Sequence, residues 1–193
     1  MSTFRRVPAE ALRAEPWANG GGTTTVLDSG PATTDWQWRL SIAQLDRDAD
    51  FSALPGVRRQ FATLDAPLTL HFPDGTDRPL LRLGIARFDG EAAPRAELTN
   101  GPTRAFNLML RDDIEGELVV RPLTGAMLLP ASSQSHWFVH MLAGQAQIHA
   151  GPEATSVAQG DSIWIDTQTS ERLRIDGGGE IVLVRLDVHP AEG

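Results

Sequence analysis

Between Trp36 and Ala43 the chain reads W-Q-W-R-L-S-I-A. In an extended strand Trp36, Trp38, Leu40 and Ile42 fall on one face, and Gln37, Arg39, Ser41 and Ala43 on the other. A two-residue period with both indoles in phase suits a half-buried β-strand and no helix. Similar short extended signals recur over Arg59–Leu64, Leu68–Phe72, Leu80–Phe88, Arg104–Arg111, Leu118–Leu123, Ala126–Pro130, Trp137–Leu142, Gln145–Ala150, Ser162–Ile165, Arg172–Asp176 and Ile181–Val188. Turn signatures such as Leu54-Pro55-Gly56, Pro73-Asp74-Gly75 and Asp89-Gly90 separate several of them. No segment sustains a 3.6-residue period, and only Pro8–Leu12 offers a single helical turn. The expected class is all-β, a sandwich or barrel.

A modest internal echo refines this. Phe61–Leu70 and Phe138–Ile148 each read as an apolar strand, a small-residue turn and a second strand, roughly 77 residues apart. Such repetition predicts two related β-units in one chain.

At Trp17-Ala18-Asn19-Gly20-Gly21-Gly22-Thr23-Thr24-Thr25 an indole and an amide precede three glycines and a β-branched run. Glycines let main-chain N–H groups approach a ligand, and the threonines favour extension. Two readings fit: a fixed corner lining a concave site, or a tight turn whose tryptophan is only core.

Absences narrow the chemistry. The 193 residues include no Cys and no Tyr, and all 17 basic residues are Arg. Disulfides, thiolate nucleophiles, cysteine-held zinc, Schiff-base lysines and phenolic acids are therefore excluded. Guanidinium stays charged, so an all-Arg set suits bidentate carboxylate recognition better than proton transfer. A net charge of −8 argues against a nucleic-acid partner, and no apolar run approaches membrane-helix length. Arg5-Arg6 precedes no hydrophobic segment, so the chain is expected to be cytoplasmic.

The five histidines are His71, His136, His140, His149 and His189. The familiar double-stranded β-helix metal site uses a His-x-His pair and a nearby carboxylate. Here the closest pair, His136 and His140, would stand about 13 Å apart on a strand, far beyond one ion with bonds of about 2.1 Å. No metal and no cofactor is expected. Gly20–Gly22 lacks the third glycine of the dinucleotide fingerprint, Gly177-Gly178-Gly179 reads as a hairpin turn, and no Gly-x-Ser-x-Gly elbow exists. What remains is a polar set, Asn19, Arg39, Ser41, Arg104, Asn107 and Arg111, rich in donors without an obvious base. That composition binds anions.

The order W-x-N-G-G-G-x-T at 17–24, W-x-W-R-L-S-I-A at 36–43, D-F-S-x-L-P-G at 50–56, F-x-x-L at 61–64, F-D-G at 88–90 and G-P-x-R-x-F-N-L-M-x-R at 101–111 resembles the HutD/Ves family. The resemblance implies a bicupin, two β-barrel units of the RmlC-like jelly-roll type, here placed over 15–112 and 113–190 with strand exchange allowed. It also implies a metal-free protein tied to histidine catabolism, with urocanate or formiminoglutamate as suspected ligand and a regulatory role. Carried over by position, the pocket candidates are Trp17, Asn19, Gly20, Arg39, Ser41, Arg59, Arg104, Asn107 and Arg111. Ala18 departs from the family's usual Lys or Arg, and Ala66 from its usual glycine.

The expectation is therefore a cytoplasmic binding module for a small carboxylate, with no nucleic-acid or membrane partner and a homodimeric state. The alternative is a metal-independent isomerase or hydrolase on a similar acid, with His140 or an Asp as base.

Overall fold

The computed structural model describes residues 4–9, 12–130, 132, 134–166 and 172–187. Parts of the expected turn at Pro8–Leu12 and of the last strand, with His189, lie outside them. The described residues hold sixteen strands and no α-helix. None of them forms a helix long and apolar enough to cross a membrane. The chain divides into two compact units: residues 12–113, and residues 114 onward joined by the N-terminal strand.

The N-terminal unit has two sheets. The larger is built from β2 (Ala14–Pro16), β3 (Gly22–Pro31), β4 (Trp36–Leu45), β11 (Thr103–Leu110), β6 (Arg58–Thr63) and β9 (Ile85–Asp89), side by side in that order. The smaller runs β5 (Ala49–Asp50), β10 (Arg95–Glu97), β7 (Leu68–His71) and β8 (Asp77–Leu80). Alternation along each strand sends one side inward. Ala43, Leu45, Phe61, Ala86 and Ala105 from the larger sheet join Leu68, Leu70, Leu80 and Ala96 from the smaller in one core. Phe61, 1% exposed, and the fully buried Leu70 and Ala96 anchor it.

The stretch expected as one strand over 80–88 is two. Leu81–Gly84 intervenes as a turn, with Leu83 at φ 63° and Gly84 donating to the Leu81 carbonyl at 2.8 Å. The turn passes β8 in one sheet to β9 in the other.

The C-terminal unit is one six-stranded sheet. Its order is β1 (Phe4–Val7), β15 (Ser162–Asp166), β13 (Ser135–Ala150), β16 (Leu173–Asp187) and β12 (Glu115–Leu129), with β14 (Glu153–Ala158) also on β13. The neighbour order β4-β11-β6-β9 thus recurs as β12-β16-β13-β15. This is the architecture behind the sequence echo.

The units differ at the corner between layers. Where β6 and β7 are separate strands, β13 continues through a bulge at Met141/Ala143. The bulge shifts the side-chain phase, so Val139 and Met141 before it and Ala146 and Ile148 after it enter the same core. Gly177–Gly179 is not the expected hairpin turn. It is mid-strand, paired on one side with Leu123–Gly125 and on the other with Gly144–Ala146. A Cβ at Gly179 would lie 2.0 Å from the Ala143 carbonyl oxygen, so only glycine lets the backbones close there.

Candidate functional site

The larger sheet of the N-terminal unit presents a grid of inward side chains. Across β4, β11 and β6, Arg39, Met109 and Arg59 form one row, and Ser41, Asn107 and Phe61 the next. Neighbouring strands lie about 4.8 Å apart. The grid floors a cavity of about 410 Å³. The wall is Trp17, Phe51 and Leu54, and Glu15, Asn19, Thr24, Asp50 and Ser52 are also in the lining.

The aromatic wall is held in place locally. The Trp17 indole donates from Nε1 to Thr24 Oγ1 at 2.7 Å, and its ring meets Phe51 edge-on at 6.3 Å. Phe51 in turn lies 5.3 Å from Phe61. The irregular chain carrying Phe51 is fixed by backbone bonds from Phe51 to Pro94 at 3.0 Å and from Leu54 to Gly90 at 2.8 Å.

Arg59 is the electrostatic centre. It is 6% exposed, and its guanidinium lies 4.9 Å from the Phe51 ring centre and 5.3 Å from that of Phe88. Nη2 donates to Asn107 Oδ1 at 2.8 Å, while Nε is buried with no hydrogen-bond partner. No carboxylate among the described residues pairs with it. Burial alone pulls its pKa down from the ordinary arginine range to about 10, so it is still a cation at neutral pH. A desolvated cation with one neutral partner is electrostatically incomplete, and an anion completes it.

The surrounding groups are donors too. Asn107 spends its oxygen on Arg59, which turns its NH₂ group away from that contact. Ser41 is 1% exposed and half-buried Arg39 sits one strand beyond Met109; neither is bonded to another side chain among the described residues.

Of the nine residues expected from sequence, six meet here: Trp17, Asn19, Arg39, Ser41, Arg59 and Asn107. Three do not. Gly20 takes φ 66° in the corner and its N–H goes to the Trp17 carbonyl at 3.0 Å. Arg104 is an odd number of residues from Asn107 on β11, so it faces the other way. Its guanidinium grips Asp65 through Nε at 2.9 Å and Nη2 at 2.8 Å, which lowers the Asp65 pKa and raises its own. Arg111 has the right phase but lies beyond the end of β11, stacked 3.9 Å over the Trp36 ring.

The glycine corner also works differently from the expectation. Gly21 N–H donates to Asn19 Oδ1 at 2.9 Å, so the amide group serves the turn, and Asn19 Nδ2 reaches the Asp50 carbonyl at 3.3 Å. A Cβ on Gly22 would sit 2.0 Å from the Gln44 carbonyl oxygen. Gly22 packs on the Gln44 backbone and Gly21 against the Ala49 side chain, and Trp17, Ala18, Asn19 and Thr24 are what the corner gives the cavity.

The histidines lie elsewhere. In the C-terminal unit His136 Nδ1 bonds Asp166 at 2.8 Å and His140 Nδ1 bonds Ser162 Oγ at 2.8 Å, each with its own cross-strand neighbour. His140 is not among the residues that line the cavity. No group of three or more His, Asp or Glu among the described residues is placed to hold a metal ion. The candidates drawn from the sequence leave out Phe51, Met109, Glu15 and Asp50; Met109 shares its phase with Asn107, Asp50 and Phe51 stand in the D-F-S-x-L-P-G stretch, and Glu15 carries no signal.

Comparison with known proteins fixes the family. The HutD family model matches residues 9–183. The chain belongs to the HutD family. A Pseudomonas putida relative, an uncharacterized 21.2 kDa protein in the hutC 3′ region, is 35% identical over 112 residues, 56% of this chain and 59% of its own length. Protein Ves of Cronobacter sakazakii is 38% identical over 99 residues, 50% of this chain and 55% of that one. The matches thus span little more than half the length of these curated relatives. The structure of HutD from Pseudomonas fluorescens SBW25 superposes with a TM-score of 0.79 at 22% identity, covering 97% of this chain and 100% of that one. The fold is the expected cupin type, an all-β double jelly roll.

Proposed function

We propose that this HutD-family chain binds a small organic acid in the cavity of its N-terminal unit, without a metal ion. Arg59 anchors the carboxylate, Arg39, Asn107 and Ser41 complete its hydrogen bonds, and Trp17 and Phe51 cover the apolar part. One observation carries this reading: Arg59 is buried on the cavity floor with no carboxylate partner among the described residues. The hut-region setting of the Pseudomonas putida relative supports a ligand from histidine breakdown, with urocanate and formiminoglutamate the first to try. On this reading the protein is a cytoplasmic sensor or limiter of flux and not an enzyme.

Calorimetric titration with each acid tests it. Saturable binding is expected, lost in Arg59→Met and weakened in Arg39→Ala. Isotherms unchanged in both variants refute the assignment.

A further inference from the structure

Met109 stands between the two arginines of the cavity floor. On β11 it pairs directly with Arg39 of β4 on one side and with Arg59 of β6 on the other. Cβ atoms of such pairs lie about 4.5–5.5 Å apart. Met109 lines the cavity and is only half-buried, so a small solute in the cavity reaches it. The other methionines among the described residues are placed differently. Met141 is fully buried in the core of the C-terminal unit, and Met127 packs against that core.

A methionine often serves only to fill a gap, and leucine fills the same space. The donors around Met109 set it apart. Counted from Cβ, its sulfur stands level with the Arg59 Cδ, one bond short of Nε, which is buried without a partner. The bond from Arg59 Nη2 to Asn107 ties that guanidinium to the strand that carries Met109. A thioether is a weak acceptor and leaves these donors unmet. Oxygen added to the sulfur makes the side chain polar and gives it a strong acceptor between the two guanidiniums.

Resting on the carboxylate-site reading, we infer that Met109 is an oxidation site that shuts the cavity to its acid: the sulfoxide oxygen takes the donors of the Arg59 row in the ligand's place. The oxidant is hydrogen peroxide. The sulfur's lone pair attacks one peroxide oxygen, the S–O bond forms as the O–O bond breaks, and that oxygen's proton passes to the departing hydroxide, which leaves as water. Sulfur loses two electrons and the peroxide gains them.

The test treats the full chain with hydrogen peroxide, removes the reagent, and titrates urocanate and formiminoglutamate calorimetrically, with peptide mass spectrometry reading each methionine. Met109 is expected to gain one oxygen before Met127 and Met141, and acid affinity to fall roughly tenfold or more. Met109→Leu should keep its affinity through the same treatment. A second measurement needs no ligand: oxidation should lower the urea midpoint of Arg59→Leu more than that of the wild type, because the new oxygen there has no buried cation to meet. Full oxidation of Met109 with affinity unchanged overturns the inference and leaves the carboxylate site standing. Equal midpoint shifts, a loss of affinity that persists in Met109→Leu, or a Met109 that stays reduced while Met127 is oxidised also overturn it. Binding of neither acid by the untreated chain removes the carboxylate reading and this one with it.

Discussion

Replacing Arg59 by Met separates a binding cation from a structural one, because the two roles predict different outcomes. Burial lowers this guanidinium from the ordinary arginine range to about 10. At 1.36 kcal/mol per pH unit, the folded chain spends about 3 kcal/mol keeping it charged at neutral pH. The penalty is constant below the folded-state value and is relieved only as pH rises above it, since the unfolded chain then holds the proton more tightly. Met keeps most of the volume and removes that penalty. Against it stand the hydrogen bond to Asn107, worth about 1–2 kcal/mol, and the ring contacts with Phe51 and Phe88, worth about 1–2 kcal/mol. The terms nearly cancel, so urea unfolding at pH 7 should show a change within about 1 kcal/mol. Acid affinity should fall by roughly 10- to 150-fold, the loss of one charge-assisted contact of about 1.5–3 kcal/mol. A stability loss well above 2 kcal/mol with acid binding intact would show that Arg59 holds the fold and not the ligand.

Other perturbations give distinct outcomes. Arg104→Ala should leave acid binding unchanged by calorimetry and cost at most about 1 kcal/mol in unfolding, because its ion pair with Asp65 is more than a third exposed. Gly22→Ala forces a Cβ onto the Gln44 carbonyl and should cost roughly 2–4 kcal/mol, whereas Gly75→Ala, with open space at φ 84°, should cost about 1 kcal/mol; thermal melts of the two variants test the contrast. His71 spans Asp77 at 2.6 Å and Glu97 at 2.7 Å, and these carboxylates raise its pKa. The stabilisation is full below the ordinary histidine value of about 6.5 and is lost as pH rises through the raised one. Urea midpoints of His71→Gln should lack that decline. Phe61→Ala should cost about 3–5 kcal/mol by the same assay, as for other buried phenylalanines.

Much of the site was legible from strand phase alone. The alternation at Trp36–Ala43 already puts Arg39 and Ser41 together and away from the indoles. The same rule, applied from Asn107, admits Met109 and excludes Arg104, whose neighbour in phase is Phe106. Arg111 shows where phase stops helping: periodicity does not say where a strand ends. Phe51 and Asp50 come from chain with almost no periodic signal, so only tertiary contacts reveal them. Gly177–Gly179 misled for a physical reason. Three glycines lower the cost of a turn, but they also permit backbones to touch inside a folded-over sheet, and composition does not distinguish the two.

The separate β6 and β7 strands have a mechanical meaning. In the C-terminal unit each long strand ties its two layers together, so neither half can slide without the other. In the N-terminal unit the layers are spliced by short links such as residues 64–67, by side-chain packing and by bonds such as Arg78 Nη1 to the Arg87 carbonyl at 2.8 Å. The N-terminal layers are thus joined across breaks between strands, and the C-terminal ones by strands that run on without a break.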